Sequence, residues 1–185
     1  MRPTKGGGGV ALAAAITAVM LVVLVAKGSV LYHSVGYSFS VLVPSGWDHV
    51  EQEWIGVPPA IDGISFETPA RDDNAHVTIA LDRTSSGDDL ARVTLEEAVS
   101  FAEGVGGSAT GIEPTTRQLG GHAADCARFH QELPAMGRLE RIELLVCTAN
   151  LPPGILIAAF QAKPESFEQL LPQAEQMFDS IRIPA

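Results

Sequence analysis

The chain has 185 residues, with 12 Lys and Arg against 22 Asp and Glu, for a formal net charge of −10. That length suits one domain with an appendage and excludes a multi-domain assembly. With 46% hydrophobic and 18% charged residues it is not a disordered acidic tail, and the excess of acid argues against nucleic acid as a partner, because phosphates need clustered Lys and Arg.

The charge is unevenly placed. Residues 1–47 contain Arg2, Lys5 and Lys27 but no acid, and the first acid is Asp48. The remainder holds nine basic and 22 acidic residues, a net of −13. Within the basic part, residues 10–26 are an uncharged, largely apolar run that follows the glycines at 6–9. As a helix this run spans about 25 Å at 1.5 Å per residue, the lower limit for crossing a bilayer. Lys27 can snorkel, and Leu31 and Tyr32 can extend the stretch into the interface. A buried core helix would show a polar face, and this run shows none.

The expectation is a transmembrane anchor over residues 10–27, preceded by a cytoplasmic tail at 1–9. The alternative is a cleaved signal peptide, for which Ala26-Lys27-Gly28 offers a small-x-small site. Lipid attachment at such a junction needs a Cys, and the first is Cys126. Arg2, Lys5 and the terminal amine outweigh Lys27, so the N-terminus is expected in the cytoplasm and the rest of the chain outside the cell membrane.

Residues 28–36 read as a linker, leaving an exported domain at 37–185. Phe39, Val41 and Val43 alternate like the buried face of a strand, and Pro44-Ser45-Gly46 turns it before Trp47. Trp47 and Trp54 bracket an acidic stretch read as a loop. They are the candidate partner surface, against the reading that Trp47 fills the edge of the core. Residues 63–67 and 76–82 predict two further strands. Thr94-Leu95-Glu96-Glu97 has the pattern of a capping box, and Leu95, Ala98, Val99 and Ala102 follow at helical spacing. Glycines at 104, 106, 107 and 111 predict a loop.

From Arg117 the pattern returns to strands, at 122–133, 139–150 and 155–162. The last begins with a continuous apolar run that suits a central strand covered on both faces. Residues 164–180 are amphipathic through Phe167, Leu170, Leu171, Ala174, Met177 and Phe178, with Pro172 expected to kink or restart the helix. The sum is an α+β fold: several antiparallel strands, an inserted helix and a terminal helix, behind one transmembrane helix.

The hairpin at 122–150 permits a geometric reading. When facing residue numbers sum to 273, Ala127 meets Val146, Phe129 meets Leu144 and Gln131 meets Ile142 on one mostly apolar face. The other face pairs His130 with Glu143 and Glu132 with Arg141. This register sets Cys126 opposite Cys147, where facing Cα atoms are about 4.5–5.5 Å apart, within reach of a disulfide. In an exported domain the pair is expected to be bonded, the alternative being two buried thiols.

Catalytic signatures are lacking. His122, Cys126 and His130 are spaced by four, but on a strand residues i and i+4 lie about 13 Å apart, too far to share a zinc ion or to form a Cys–His dyad. His33, His49 and His76 read as surface or packing residues, and the acid pairs at 72–73 and 88–89 as solvated loops with too few ligands for a cation. There is no GxSxG, HExxH, SxxK, EF-hand or phosphate-loop pattern, and no cofactor is implied.

The order Phe39-x-Val41-x-Val43-Pro44-x-Gly46-Trp47, then Thr94-Leu95-Glu96-Glu97, Leu119-Gly120-Gly121-His122-Ala123 and Leu171-Pro172…Met177-Phe178-Asp179-Ser180-Ile181 resembles the PsbP-like superfamily. It is most like the exported bacterial members of the LpqN and DcrB type, which include actinobacterial lipoproteins. The resemblance spans about residues 37–183. It implies a central antiparallel sheet sandwiched between helices and a non-enzymatic domain serving as an accessory or interaction subunit. The lipid-acceptor Cys of the lipoprotein members is missing here. The expectation is therefore a non-enzymatic, membrane-anchored domain that binds an envelope protein or complex, the alternative being a binder of small molecules or lipids in a cleft between sheet and helix. A hydrolase with a site of unrecognised form is the weakest reading.

Overall fold

The computed structural model describes residues 28–34, 39–53, 62–68, 75–82, 92, 95–96, 99–100, 109–135, 138–151 and 154–184. The segment expected to be the membrane anchor, residues 10–27, lies outside them. Among the described residues no helix is long and apolar enough to cross a membrane.

Nine strands and a C-terminal helix are described: β1 (Ser29–Ser34), β2 (Phe39–Pro44), β3 (Asp48–Glu53), β4 (Asp62–Glu67), β5 (His76–Asp82), β6 (Ala109–Leu119), β7 (His122–Ala135), β8 (Arg138–Leu151), β9 (Gly154–Ala162) and α1 (Pro164–Ser180). Seven strands form one antiparallel sheet in the order β3-β4-β5-β9-β8-β7-β6, and β1 and β2 pair separately as a hairpin. Strand β9 sits centrally, between β5 and β8, and Ile155, Leu156, Ile157, Ala158 and Phe160 are all buried. Its unbroken apolar run is accounted for by cover on both faces.

One face of the sheet carries the main core. Ile64, Phe66, Val77, Ile79, Leu145, Ala158 and Phe160 point toward α1, which answers with Phe167, Ala174, Met177 and Phe178. The β1–β2 hairpin packs beside α1 on the same face through Phe39, Val41 and Val43. On the opposite face Ala127, Phe129 and Val146 form a smaller cluster against Leu95 and Val99. Those two residues are helical, as are Arg92, Glu96 and Ser100. Ser65 and Thr78, buried on this second face, satisfy each other's hydroxyls at 2.9 Å.

Four expectations need correction. The linker expected at 28–36 contains β1, held along its length by β2 from Ser29↔Pro44 to Ser34↔Phe39. Its alternation was missed because the polar Ser29, His33 and Ser34 mask it, yet Ser29 and Ser34 are both buried. The acidic stretch 48–53, read as a loop, is the edge strand β3, paired from Asp48↔Glu67 to Glu53↔Asp62. An edge strand buries little of itself, so its sequence carries little apolar signal. The glycine-rich loop ends earlier than expected, since β6 begins at Ala109. Its register shifts between Thr110 and Glu113, around Gly111 at φ +65°. Finally, Arg92 is already helical, two residues before the cap expected at Thr94.

Helix α1 runs through Pro172 as one element. Pro172 is exposed, as is Glu168, whose carbonyl it leaves without a helical donor.

Candidate functional site

The hairpin of β7 and β8 adopts the register in which facing numbers sum to 273, with Ala127↔Val146, Phe129↔Leu144 and Glu132↔Arg141. Cys126 faces Cys147 and the two are joined as a disulfide, with Cα atoms 4.1 Å apart and both residues 1% exposed. The bridge lies in the main core beneath α1 and locks the two longest strands to each other. His122 and His130 share its strand, and among the described residues no group of three or more His, Cys, Asp or Glu is arranged to hold a metal ion.

Trp47 is 8% exposed, belongs to the main core and donates its indole N–H to Oε1 of Gln173 on α1 at 2.8 Å. It fills the edge of the core and presents no open surface to a partner. Trp54, the other half of the proposed surface, lies outside the described residues. Near β3 a small aromatic group closes the sheet edge: the Tyr32 ring stands edge-on to Phe66 at 5.3 Å and tilted to His49 at 5.2 Å.

The most charged feature of the core-facing surface was not read from the sequence. Arg128 on β7 donates through Nε to Oε1 of Glu143 on β8 at 2.5 Å and through Nη2 to Oε1 of Glu168 on α1 at 2.5 Å. Its guanidinium lies 4.7 Å from the centroid of the Phe167 ring. The Glu143 side chain is only 5% exposed. Burial works against the charged guanidinium, but the hydrogen bonds to Glu168 and Glu143 and the charges of both carboxylates outweigh it and raise the Arg128 pKa. His130 completes the group, with Nδ1 3.9 Å from Oε2 of Glu143. A second bridge, from Arg117 on β6 to Glu175 on α1, lies further along the helix.

This seam fastens α1 to β6, β7 and β8. Arg128 is shared between two carboxylates, one on the sheet and one on the helix, so the seam acts as a structural clasp. The sequence did hold a signal. In the register above, Arg128 is placed on the same strand face as Cys126, opposite Leu145 and diagonal to Glu143, a position where a lone charge requires a partner.

A seven-stranded antiparallel sheet with a C-terminal helix and an N-terminal hairpin packed on one face defines a PsbP-like α+β fold. The solved structures that share it include the cyanobacterial PsbP protein CyanoP from Synechocystis, at a TM-score of 0.53 and 17% identity, covering 83% of this chain and 91% of that one. LpqN of Mycobacterium tuberculosis, a protein involved in cell envelope biogenesis, matches at a TM-score of 0.50 and 17% identity, covering 85% and 91% of the two chains. A protein from Bacteroides thetaiotaomicron matches at 0.51 and 16% identity, covering 84% of this chain and 48% of that one. At these identities the likeness is one of fold. No protein-family profile and no curated protein matches the sequence.

Proposed function

We propose that this chain is a membrane-anchored, extracytoplasmic accessory domain that binds a cell-envelope protein or complex and carries no catalysis of its own. The observation that carries this reading is the PsbP-like fold, shared with the envelope-biogenesis protein LpqN, closed by an internal disulfide. Disulfides persist outside the reducing cytosol, which supports an exported location. The basic tail and the apolar run at 10–26 supply the anchor and its orientation. The domain beyond carries a net charge of −13, so its electrostatic preference is for a neutral or basic partner.

In-cell crosslinking of the anchored chain, followed by mass spectrometry, tests this. A specific envelope protein is expected in the crosslinked fraction, with its yield falling when the domain is expressed without residues 1–27. Failure to recover any specific partner from the correctly localised chain would count against the accessory role.

A further inference from the structure

The seven-stranded sheet has two edges, β3 and β6. An edge strand leaves the backbone N–H and C=O of every second residue unpaired, and these can hydrogen-bond a further strand. On β6 the Gly120–Gly121 turn closes on the pair Leu119↔His122, which exchanges hydrogen bonds. Alternation from there turns Gln118, Thr116 and Pro114 outward. Pro114 has no N–H to offer, and the register shift between Thr110 and Glu113 breaks the run beyond it. This edge is guarded against strand addition.

Strand β3 has neither device. Thr68 donates its N–H to Ala75 O at 3.2 Å, which fixes the alternation in the neighbouring strands. Phe66 and Ile64 bond toward β5, so Glu67, Ser65 and Gly63 bond toward β3. Their partners there are Asp48, Val50 and Gln52, in a register without a shift. The N–H and C=O groups of His49, Glu51 and Glu53 therefore point away from the sheet. No residue of β3 is Pro, and among the described residues no strand pairs with this side of it.

The charge on this edge restricts what can pair with it. Asp48, Glu51 and Glu53 on β3 are joined by Asp62 and Glu67 on β4, and residues 28–70 contain no Lys or Arg. Glu67 is met by His76, whose Nδ1 lies 3.2 Å from its Oε1. A strand added beside β3 would lie about 4.8 Å away, so its charges would fall within a Debye length of about 8–10 Å of the β3 carboxylates. A second copy of β3 would set acid against acid and be repelled, whereas Lys and Arg would be attracted.

We propose that the open edge of β3 is the partner-binding surface of the domain and takes an extended, basic segment of another protein as an added strand. This deepens the reading of the chain as a partner-binding domain and rests on it. The outward backbone groups of His49, Glu51 and Glu53 supply the pairing, and the acids supply the preference for a basic sequence. The same acids keep the edges of two copies apart.

The full chain in non-ionic detergent, with a fluorescent ten-residue peptide of alternating Lys and Val, tests the proposal. A peptide of alternating Glu and Val is the control. The Lys peptide is expected to bind and the Glu peptide not. Amide exchange followed by NMR should then slow several-fold at His49, Glu51 and Glu53. It should stay unchanged at Val50 and Gln52, whose N–H groups are already paired with β4. Glu51→Pro removes an outward donor without touching the β3–β4 hydrogen bonds, and is expected to weaken binding about tenfold or more. Glu51→Gln, which keeps the donor, should weaken it less. Binding that Glu51→Pro leaves intact, or that slows no outward amide, would be charge attraction alone and would overturn the pairing. Equal binding of both peptides would overturn the preference for basic segments. If the Lys peptide fails to bind while in-cell crosslinking still recovers a partner, the edge is wrong and the accessory role stands. If the peptide pairs with β3 but no partner is recovered, the accessory role is what fails.

Discussion

Arg128 holds its guanidinium carbon 4.7 Å from the centroid of the Phe167 ring while binding one carboxylate on the sheet and another on the helix. One side chain thus joins β7, β8 and α1 by a cation–π contact and two charge-assisted hydrogen bonds. The two carboxylates differ in what they lose if it goes. Glu143 is 5% exposed and Glu168 is 67% exposed.

Arg128→Leu is expected to destabilise the domain by about 2–3 kcal/mol, because it strands the buried Glu143 charge; partial exposure of Arg128 places the cost at or below the low end for an opened buried pair. Glu168→Ala is expected to cost less than about 0.5 kcal/mol, as exposed pairs do. Urea unfolding of both variants checks the contrast. The double variant Arg128→Leu/Glu143→Leu should recover much of the loss, since it removes the stranded charge together with its partner.

The disulfide closes a segment with a sequence separation of 21. Replacing both cysteines by Ala is expected to lower stability by roughly 3 kcal/mol in the chain-entropy model. Thermal melts of the double variant and of the oxidised and reduced native domain provide the measurement. Reduction of the folded protein should be slow, because both cysteines are 1% exposed. Equal melting temperatures in all three forms would show that the bridge contributes nothing.

Gly120 adopts φ +61°, and its N–H donates to Phe178 O at 2.9 Å. An added Cβ would lie 3.1 Å from Ile181 O and 3.4 Å from Ile181 Cβ, whereas at Gly121, φ +86°, it would meet open space. Both Ala variants carry the left-handed penalty of about 1 kcal/mol. Gly120→Ala is expected to cost measurably more than Gly121→Ala, since it also pushes against the backbone that ends α1. Chemical denaturation of the pair separates crowding from backbone strain.

Pro172 interrupts the hydrogen-bonding of α1 on its exposed side. Pro172→Ala is expected to stabilise the domain by about 1 kcal/mol, returning a donor to Glu168 O where no packing opposes the change. A higher denaturation midpoint with an unchanged slope is the expected signature.

The legible parts of the sequence were those where burial imposes a period. The helix at 164–180, strand β2 and the facing of Cys126 with Cys147 follow from alternation or helical spacing, because each has one face that must be apolar. The central place of β9 follows from the absence of alternation. Strands β1, β3 and β6 were obscure for the converse reason. Residues 110–116 of β6 are exposed throughout, and with no buried face to specify they leave no pattern to read. Arg128 was legible only as a position on a face. Its helix partner Glu168 is 40 residues away in sequence, and no local spacing connects the two.

The β1–β2 hairpin is completed from the far end of the chain. Leu42 N–H donates to Ser180 Oγ across a separation of 138 residues, and Ser40 and Arg182 exchange backbone hydrogen bonds at 2.8 Å. A chain delivered across a membrane from its N-terminus would thus present its first hairpin long before α1 arrives to cover Phe39, Val41 and Val43. Until then those apolar side chains lack their native cover, and contacts this distant in sequence close slowly. For such an exported chain, translocation would have to run nearly to its last residues before the domain could become resistant to proteases, and a product cut short before Ser180 would be a substrate for proteolysis.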